Sequence, residues 1–352
     1  MRVAVGMSGG VDSAVAALLV KEAGHEVFGV SMALWDQRCA PISTLKKHAC
    51  YGPDEPDELE TAKNICAAMG IPFYVFDCAQ QYREVVLAYF QQEYGAGRTP
   101  NPCVQCNHLI KFGVLPLMIR NAKMSFDAFA TGHYAQVDSH RVTGRYFLRK
   151  AKDLKKDQSY FLYRLSQPQL AQVLFPLAHY TKDQVRAIAR QSGLGVAESK
   201  ESQDFYSGDY QALLNLPDRE GKIVTVDGTI LGSHQGIWHY TIGQRKGLGI
   251  ASHEPLYVVG LDALNNTVIV GPRASIYQTA CVVDHLNWMA IADLTEPMLV
   301  KAKLRSSHKA ADAWIEPLTA TSVKVNFQTP QEAITPGQSA VFYDNNLNGL
   351  WD

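Results

Sequence analysis

Two rhythms of apolar and polar positions divide the chain. Up to about residue 135, short β-branched runs alternate with longer stretches of helical periodicity. Residues 3–5 form such a run and stop at Gly6. An Ala- and Leu-rich helix is predicted over 13–23, ending at Gly24, a favourable C-cap residue. Residues 26–34 read as a buried strand, 57–69 as a helix closed by Gly70, and 73–77 as a strand. Helices are expected over 79–94 and 108–122, and a further strand over 127–131. Strands separated by helices of this length pair in parallel through right-handed crossovers, so the expected fold class is an α/β doubly wound parallel sheet. Such a sheet binds ligands at the carboxyl ends of its strands, which points to the loops after Val5 and Thr131. Beyond Gly221 the rhythm shortens. β-branched runs are broken there by Gly, Asn and Pro, with Asn265 and Asn266 placed as a hairpin turn. One or two small β modules are predicted, starting near Pro217 to Gly221.

Length and composition narrow the class. At 352 residues the chain is too long for one ordinary core. A hydrophobic fraction of 47% with 19% charged residues excludes a long disordered protein. No apolar run approaches the roughly 18 residues of a membrane span, and the start lacks a signal-peptide pattern. Lys plus Arg total 33 against 34 Asp plus Glu, a net charge of −1. A nucleic-acid surface must therefore come from local segregation of charge. Seven cysteines is an odd count that suits a reducing cytoplasm. There a close cysteine pair signals metal binding or catalysis before a structural disulfide. A cytoplasmic protein without membrane contact is expected.

The strongest local pattern is Gly6, Met7, Ser8, Gly9, Gly10, Val11, Asp12 and Ser13, between a strand and a helix. Glycines let backbone N–H groups converge on an anion, the serine hydroxyls add donors, and the helix N-terminus adds partial positive charge. A Walker-A loop would end in Gly-Lys-Ser/Thr. No lysine occurs here, and Asp12 beside phosphates calls for a bridging cation such as Mg²⁺. That suits pyrophosphate release better than γ-phosphate transfer. A lone glycine pair would read as a tight junction; the whole octet reads as phosphate binding.

The second pattern is Arg-Thr-Pro-Asn-Pro-Cys-Val-Gln-Cys-Asn over 98–107. Its prolines hold the loop extended, and a helix is predicted to begin near Asn107. Cys106 would then sit at a helix N-terminus, where the macrodipole lowers a thiol pKa toward thiolate. Half of a zinc site is the alternative, disfavoured because no second C-x-x-C exists in the sequence.

The octet resembles the pyrophosphate loop of the adenine-nucleotide α-hydrolases, Ser-Gly-Gly-x-Asp-Ser. That resemblance implies ATP held at Gly6 to Ser13, Met32 near the adenine, and Gly132 of Thr-Gly-His-Tyr as a further nucleotide contact. With TPNPCVQCNHLIKFG, ATGHYA, KDQSYFL over 156–162 and HYTIGQRKGLGI over 239–250, the whole chain resembles the tRNA-specific 2-thiouridylases. These enzymes replace O2 of the wobble uridine with sulfur. The resemblance implies an ATP-pyrophosphatase domain over 1–210, a small central domain over 211–272 and a C-terminal β-barrel over 273–352. It implies Cys106 as nucleophile, with Asp12 in the catalytic set and the target base near Asn101, Pro102 and Cys103. Further tRNA contacts are implied at Lys156, Asp157, Gln158, Arg305 and Ser306. ATP and Mg²⁺ are the expected cofactors; tRNA and a sulfur-donor protein or sulfide are the expected partners. Charge placement agrees with an RNA partner: Arg141, Arg145, Arg149, Lys150, Lys152, Lys155 and Lys156 crowd into one segment against Asp153, and 301–309 is basic without an acid.

One departure stands out. Most relatives carry a second catalytic cysteine where this chain, in Glu-Ser-Gln-Asp-Phe-Tyr over 201–206, has Tyr206. A phenol cannot carry the persulfide that the family scheme places there. Cys103 in turn occupies a position that is aspartate in many relatives. Two repairs are open. Cys103 and Cys106 can share a persulfide relay, or they can join a third thiol, Cys50 or else Cys39, in holding a 4Fe-4S cluster. Cys66, Cys78 and Cys281 read as core cysteines. The competing functions are an amidating ligase, in which the C-x-x-C loop has no role, and a non-catalytic nucleotide sensor.

Overall fold

The computed structural model describes residues 1–35, 49–199, 204–206, 208 and 210–344. The strands of its N-terminal part are β1 (Arg2–Gly6), β2 (Glu26–Ala33), β3 (Ala49–Tyr51), β4 (Phe73–Asp77), β5 (Ala128–Thr131), β6 (Ala135–Ser139), β7 (Tyr146–Lys150), β8 (Val173–Leu174) and β9 (Asp204–Tyr206). Val3, Ala4 and Val5 have no exposed surface, as expected of a central parallel strand covered on both faces. The main sheet runs β4-β2-β1-β5-β8, all parallel. On one face, α1 (Val11–Glu22), α2 (Glu55–Ala68) and the helix Lys182–Gln191 bring Ala14, Ile65 and Val185 against Val3 and Val5. On the other face Ala4, Phe28 and Phe129 meet Phe112, Leu115 and Ile119. The strand order reverses between β1 and β5, where Gly6 lies opposite Thr131. That reversal is the switch point at which such sheets bind ligands.

Three features differ from the expected elements. The helix predicted to begin near Asn107 starts at Pro102 and continues through a π-helical stretch, Cys106–Val114, into Leu115–Asn121. The basic run contains an antiparallel hairpin, β6–β7, whose strands the density of charge concealed. Two three-residue strands, β3 and β9, pair in parallel with Tyr51 opposite Tyr206; pieces this short leave no periodic signal.

The predicted β-rich C-terminal half has two sheets. The first comprises β10 (Gly221–Thr225), β11 (Ile230–His234), β12 (Tyr257–Asp262) and β13 (Thr267–Gly271), ordered β11-β10-β13-β12. Asn266, at φ 48°, turns the chain between β12 and β13 as expected. The second comprises β14 (Tyr277–Asp284), β15 (Met298–Lys303), β16 (Ala311–Thr319), β17 (Ser322–Glu332) and β18 (Val341–Tyr343), an antiparallel sheet ordered β14-β17-β16-β15-β18. Its last strand anchors it to the N-terminal domain. Val341 and Tyr343 enter the core beside Phe129, and the Tyr343 hydroxyl lies 3.1 Å from Ser159 Oγ. Among the described residues no helix is long and apolar enough to cross a membrane.

Phe342 is fully buried on β18, 6.4 Å from the Trp288 ring. Phe342→Ala is expected to destabilise the C-terminal sheet by about 3–5 kcal/mol. Calorimetry should show an earlier transition accompanied by a change in Trp288 fluorescence; an unmoved thermogram would contradict this packing.

Candidate active site

The octet forms the predicted strand–loop–helix junction at the switch point. Gly10 is the N-cap of α1, and the loop is braced internally. The Ser8 amide donates to Ser13 Oγ at 3.2 Å, and Ser13 Oγ donates to the Gly10 carbonyl at 3.0 Å. Gly9 has φ 75°, and a Cβ there would stand 2.7 Å from the Glu58 carbonyl oxygen. Met7 and Val11 bury their side chains, so only their main chain can face an anion. Met32, near the end of β2, packs beside Phe76 with part of its surface open. Gly132 is required by close approach, since a Cβ would sit 2.6 Å from the Asp12 carbonyl carbon.

Asp12 is not left to repel an incoming phosphate. Lys182 Nζ lies 2.8 Å from both of its carboxylate oxygens, and the Tyr134 hydroxyl donates to Oδ1 at 2.7 Å. Lys182 is 8% exposed. It opens a helix capped by Thr181 in a reciprocal capping box, and its own amide donates to Asp153. Neither Lys182 nor Tyr134 is singled out by the sequence reading. Tyr134 follows the predicted Thr-Gly-His, but nothing local marks Lys182, which is 170 positions from Asp12.

The cysteine loop is held by all three parts of the chain. The Thr99 amide donates to the Pro336 carbonyl at 2.9 Å, Gln338 Nε2 donates to the Thr99 carbonyl at 2.9 Å, and the hydroxyls of Thr99 and Thr241 are 3.2 Å apart. Asn101 is the N-cap, accepting from the Val104 amide, and Pro102 takes the first helical position. Cys103 therefore lies in the first turn, and Cys106 lies one turn deeper, at the start of the π-helical stretch. Gln169 Nε2 donates to the carbonyls of both His108 and Phe112, which supports this wider turn. The expected thiolate at Cys106 is corrected. Burial pushes its thiol up to about 11 and Cys50 adds to the rise, while Lys111 opposes it.

Tyr206 is fully buried, its ring 6.1 Å from Tyr51, which in turn stacks on Tyr82 at 5.1 Å. Cys50 is exposed on β3, near enough for its charge to act on both Cys106 and Tyr82. Among the described residues no three His, Cys, Asp or Glu side chains are grouped to hold a single metal ion. Cys39 lies outside the described residues. Asp12 would fit a Mg²⁺ carried in on phosphates, because such an ion requires only one or two protein carboxylates. Cys66 and Cys78 are buried core thiols, raised by burial to about 11 and about 12; Cys281 is raised likewise to about 11.

The residues expected on tRNA divide into two groups. Asp157 accepts from the amide of Ala151 and the hydroxyl of Ser159, and Gln158 Oε1 accepts from the Tyr134 amide at 2.9 Å. Both brace main chain, and Gln158 holds that of Tyr134, whose hydroxyl donates to Asp12. Arg305 Nη2 donates to the Ile242 and Ala333 carbonyls and to the Thr335 hydroxyl, tying the two C-terminal sheets together. Ser306 is exposed and Lys156 partly so. Within the basic run, Arg145 binds the Met289 and Trp288 carbonyls, Arg149 pairs with Asp138, and Lys150 lies over the Tyr343 ring. Arg141, Lys152 and Lys155 remain exposed.

Comparison with known proteins gives a consistent picture. Residues 1–206 match a family model described as the tRNA methyl transferase HUP domain, 213–272 a tRNA methyl transferase PRC-barrel domain, and 278–347 an aminomethyltransferase β-barrel domain. A protein of Endomicrobium trichonymphae named tRNA-specific 2-thiouridylase MnmA is 47% identical over 348 residues, covering 98% of this chain and 96% of its own. Proteins of the same name from Acetivibrio thermocellus and Clostridium acetobutylicum are 43% and 41% identical, each alignment covering 98% of this chain and 97% of theirs.

A thiol held near 11 reacts slowly at neutral pH, and its anion grows about tenfold per pH unit below the pKa. Iodoacetamide labelling of Cys106, followed by peptide mass spectrometry, should accelerate steadily from pH 7 to pH 10. A plateau below pH 8 would show a thiolate that burial does not suppress.

Proposed function

The chain belongs to the tRNA-specific 2-thiouridylase family, and we propose that it replaces O2 of a tRNA wobble uridine with sulfur in an ATP-dependent reaction whose sulfur passes through Cys103 and Cys106. The observation that carries this reading is the C-x-x-C pair on one helical turn, with Tyr206 fully buried at the position where the resemblance places a second cysteine. The family model's label speaks of methyl transfer; a paired thiol in the loop favours sulfur chemistry, as the names of the full-length relatives do.

ATP is bound along Gly6 to Ser13, with Met32 and Gly132 bounding the nucleotide. Asp12 would hold a Mg²⁺ that arrives with the phosphates, and that ion would supply neutralisation of their charge. The uridine O2 attacks the α-phosphorus and pyrophosphate leaves, which makes O2 a good leaving group as AMP. Cys103, in the first turn, carries a hydropersulfide whose anion the helix N-terminus stabilises. Its terminal sulfur attacks C2, AMP departs, and the base is left bonded to Cys103 through two sulfurs. Cys106 then attacks Cys103 Sγ and loses its proton to solvent. A Cys103–Cys106 disulfide forms, the terminal sulfur leaves with the bonding electrons as 2-thiouridine, and an external dithiol resets the pair. The raised pKa of Cys106 has a use in this order: a protonated thiol does not destroy the neighbouring persulfide before the base is activated. Asn101 and Pro102 border the base. Lys156, Ser306 and the exposed Arg141, Lys152 and Lys155 offer charge and hydrogen bonds to the RNA backbone. The persulfide is supplied by a sulfur-donor protein that hands over the outer sulfur of its own persulfide, or by sulfide that attacks Cys103 Sγ of the Cys103–Cys106 disulfide and expels Cys106 as the thiol, and the setting is the cytoplasm.

Nucleoside mass spectrometry tests the assignment. Cys103→Ser and Cys106→Ser should each eliminate 2-thiouridine yet keep tRNA-dependent pyrophosphate release, and Tyr206→Phe should keep most thiolation. Normal 2-thiouridine from Cys103→Ser would overturn the relay.

A further inference from the structure

The phosphate loop has no lysine in sequence, but the fold delivers one. Lys182 projects from the first turn of the helix Lys182–Gln191, with its side chain 9% exposed and its ammonium shared between the two oxygens of Asp12. Two features fix this arrangement from outside the pair. The Tyr134 hydroxyl holds Asp12 Oδ1, and Asp153 holds the Lys182 amide. The Asp12 side chain is 29% exposed, so the carboxylate is the more open member of the pair.

We propose that Lys182 is the cation for the β- and γ-phosphates of ATP, and that it serves by changing partner. In the empty loop it neutralises Asp12. When ATP enters with Mg²⁺, its ammonium turns to the phosphate oxygens and leaves Asp12 to the metal. The inference rests on the reading of Gly6 to Ser13 as an ATP phosphate loop. Its physical basis is charge balance in a confined site. An unpaired Asp12 would oppose a polyanion, and an unpaired buried lysine would be costly. A lysine can make the exchange because its ammonium is a point charge with three donors on a flexible stem. A Walker-A lysine is supplied by its own loop. Here the same charge comes from a helix across the switch point, and Gly132, which lacks a Cβ, allows the loop between them to approach.

AMP separates this role from a purely structural ion pair, because it has the adenosine and α-phosphate but neither outer phosphate. Mg-ATP and AMP binding would be measured by titration calorimetry on the full chain, without tRNA or sulfur donor. Lys182→Met should weaken Mg-ATP binding by about tenfold to a hundredfold, the range of charge-assisted hydrogen bonds, while AMP affinity stays within about twofold. Lys182→Arg should recover part of the ATP affinity. If Lys182→Met is too unstable to titrate, Asp12→Asn combined with Lys182→Met removes the orphaned charge and, measured against Asp12→Asn alone, should show a further loss of preference for ATP over AMP. Equal losses for ATP and AMP, or no loss for either, would overturn the proposal. A wild-type protein that binds ATP normally but makes no 2-thiouridine would refute the proposed function and leave this assignment standing.

Discussion

Much of the site depends on how the segment from Gly97 to Asn101 is held. Its hydrogen bonds run to Thr241 in the central part and to Pro336 and Gln338 in the C-terminal part. Gly337, at φ 91°, approaches so closely that a Cβ would stand 2.8 Å from the Thr99 carbonyl oxygen. A short loop that contains Pro100 and runs into a helix-opening proline makes few internal hydrogen bonds, so its position must be fixed from outside. That fixation sets where the helix bearing Cys103 and Cys106 begins. It also makes the two C-terminal parts of the chain part of the framework that positions the cysteine pair, although the thiols lie in the N-terminal domain.

A second constraint is the aromatic packing around Tyr206. Its ring shares a buried cluster with Tyr51 and Tyr82, and β9 is paired to β3 through the same residue. A cysteine there would leave a cavity among these rings. The substitution thus does more than delete a thiol, because it ties the segment down by packing. Under the proposed relay, sulfur chemistry falls to the thiols nearby, and the pair separated by one helical turn is the closest in sequence.

The parallel sheet was legible because its strands are apolar on both faces, so β1, β2, β4 and β5 lie where the pattern places them. The phosphate loop was legible because its glycines and serines act locally. What escaped depends on distant contacts. Lys182 looks in sequence like any helix-opening lysine, and only the fold brings it to Asp12. The π-helical register of Cys106 depends on Gln169, more than sixty residues away in sequence. Asp157, Gln158 and Arg305 look like surface residues by type, but each is engaged by the protein main chain. The acidity expected of Cys106 rested on a helix starting near Asn107; the helix starts a turn earlier, so this thiol lies inside it, where burial raises its pKa.

The relay through one helical turn is the central claim, and a single turnover without reductant tests it most directly. Enzyme loaded with persulfide, mixed with ATP and tRNA and quenched in acid, would be digested and analysed by mass spectrometry. The account predicts a Cys103–Cys106 disulfide formed in step with 2-thiouridine, one for one. Formation of 2-thiouridine with both cysteines still reduced, or with a disulfide that joins either of them to Cys50, would contradict it.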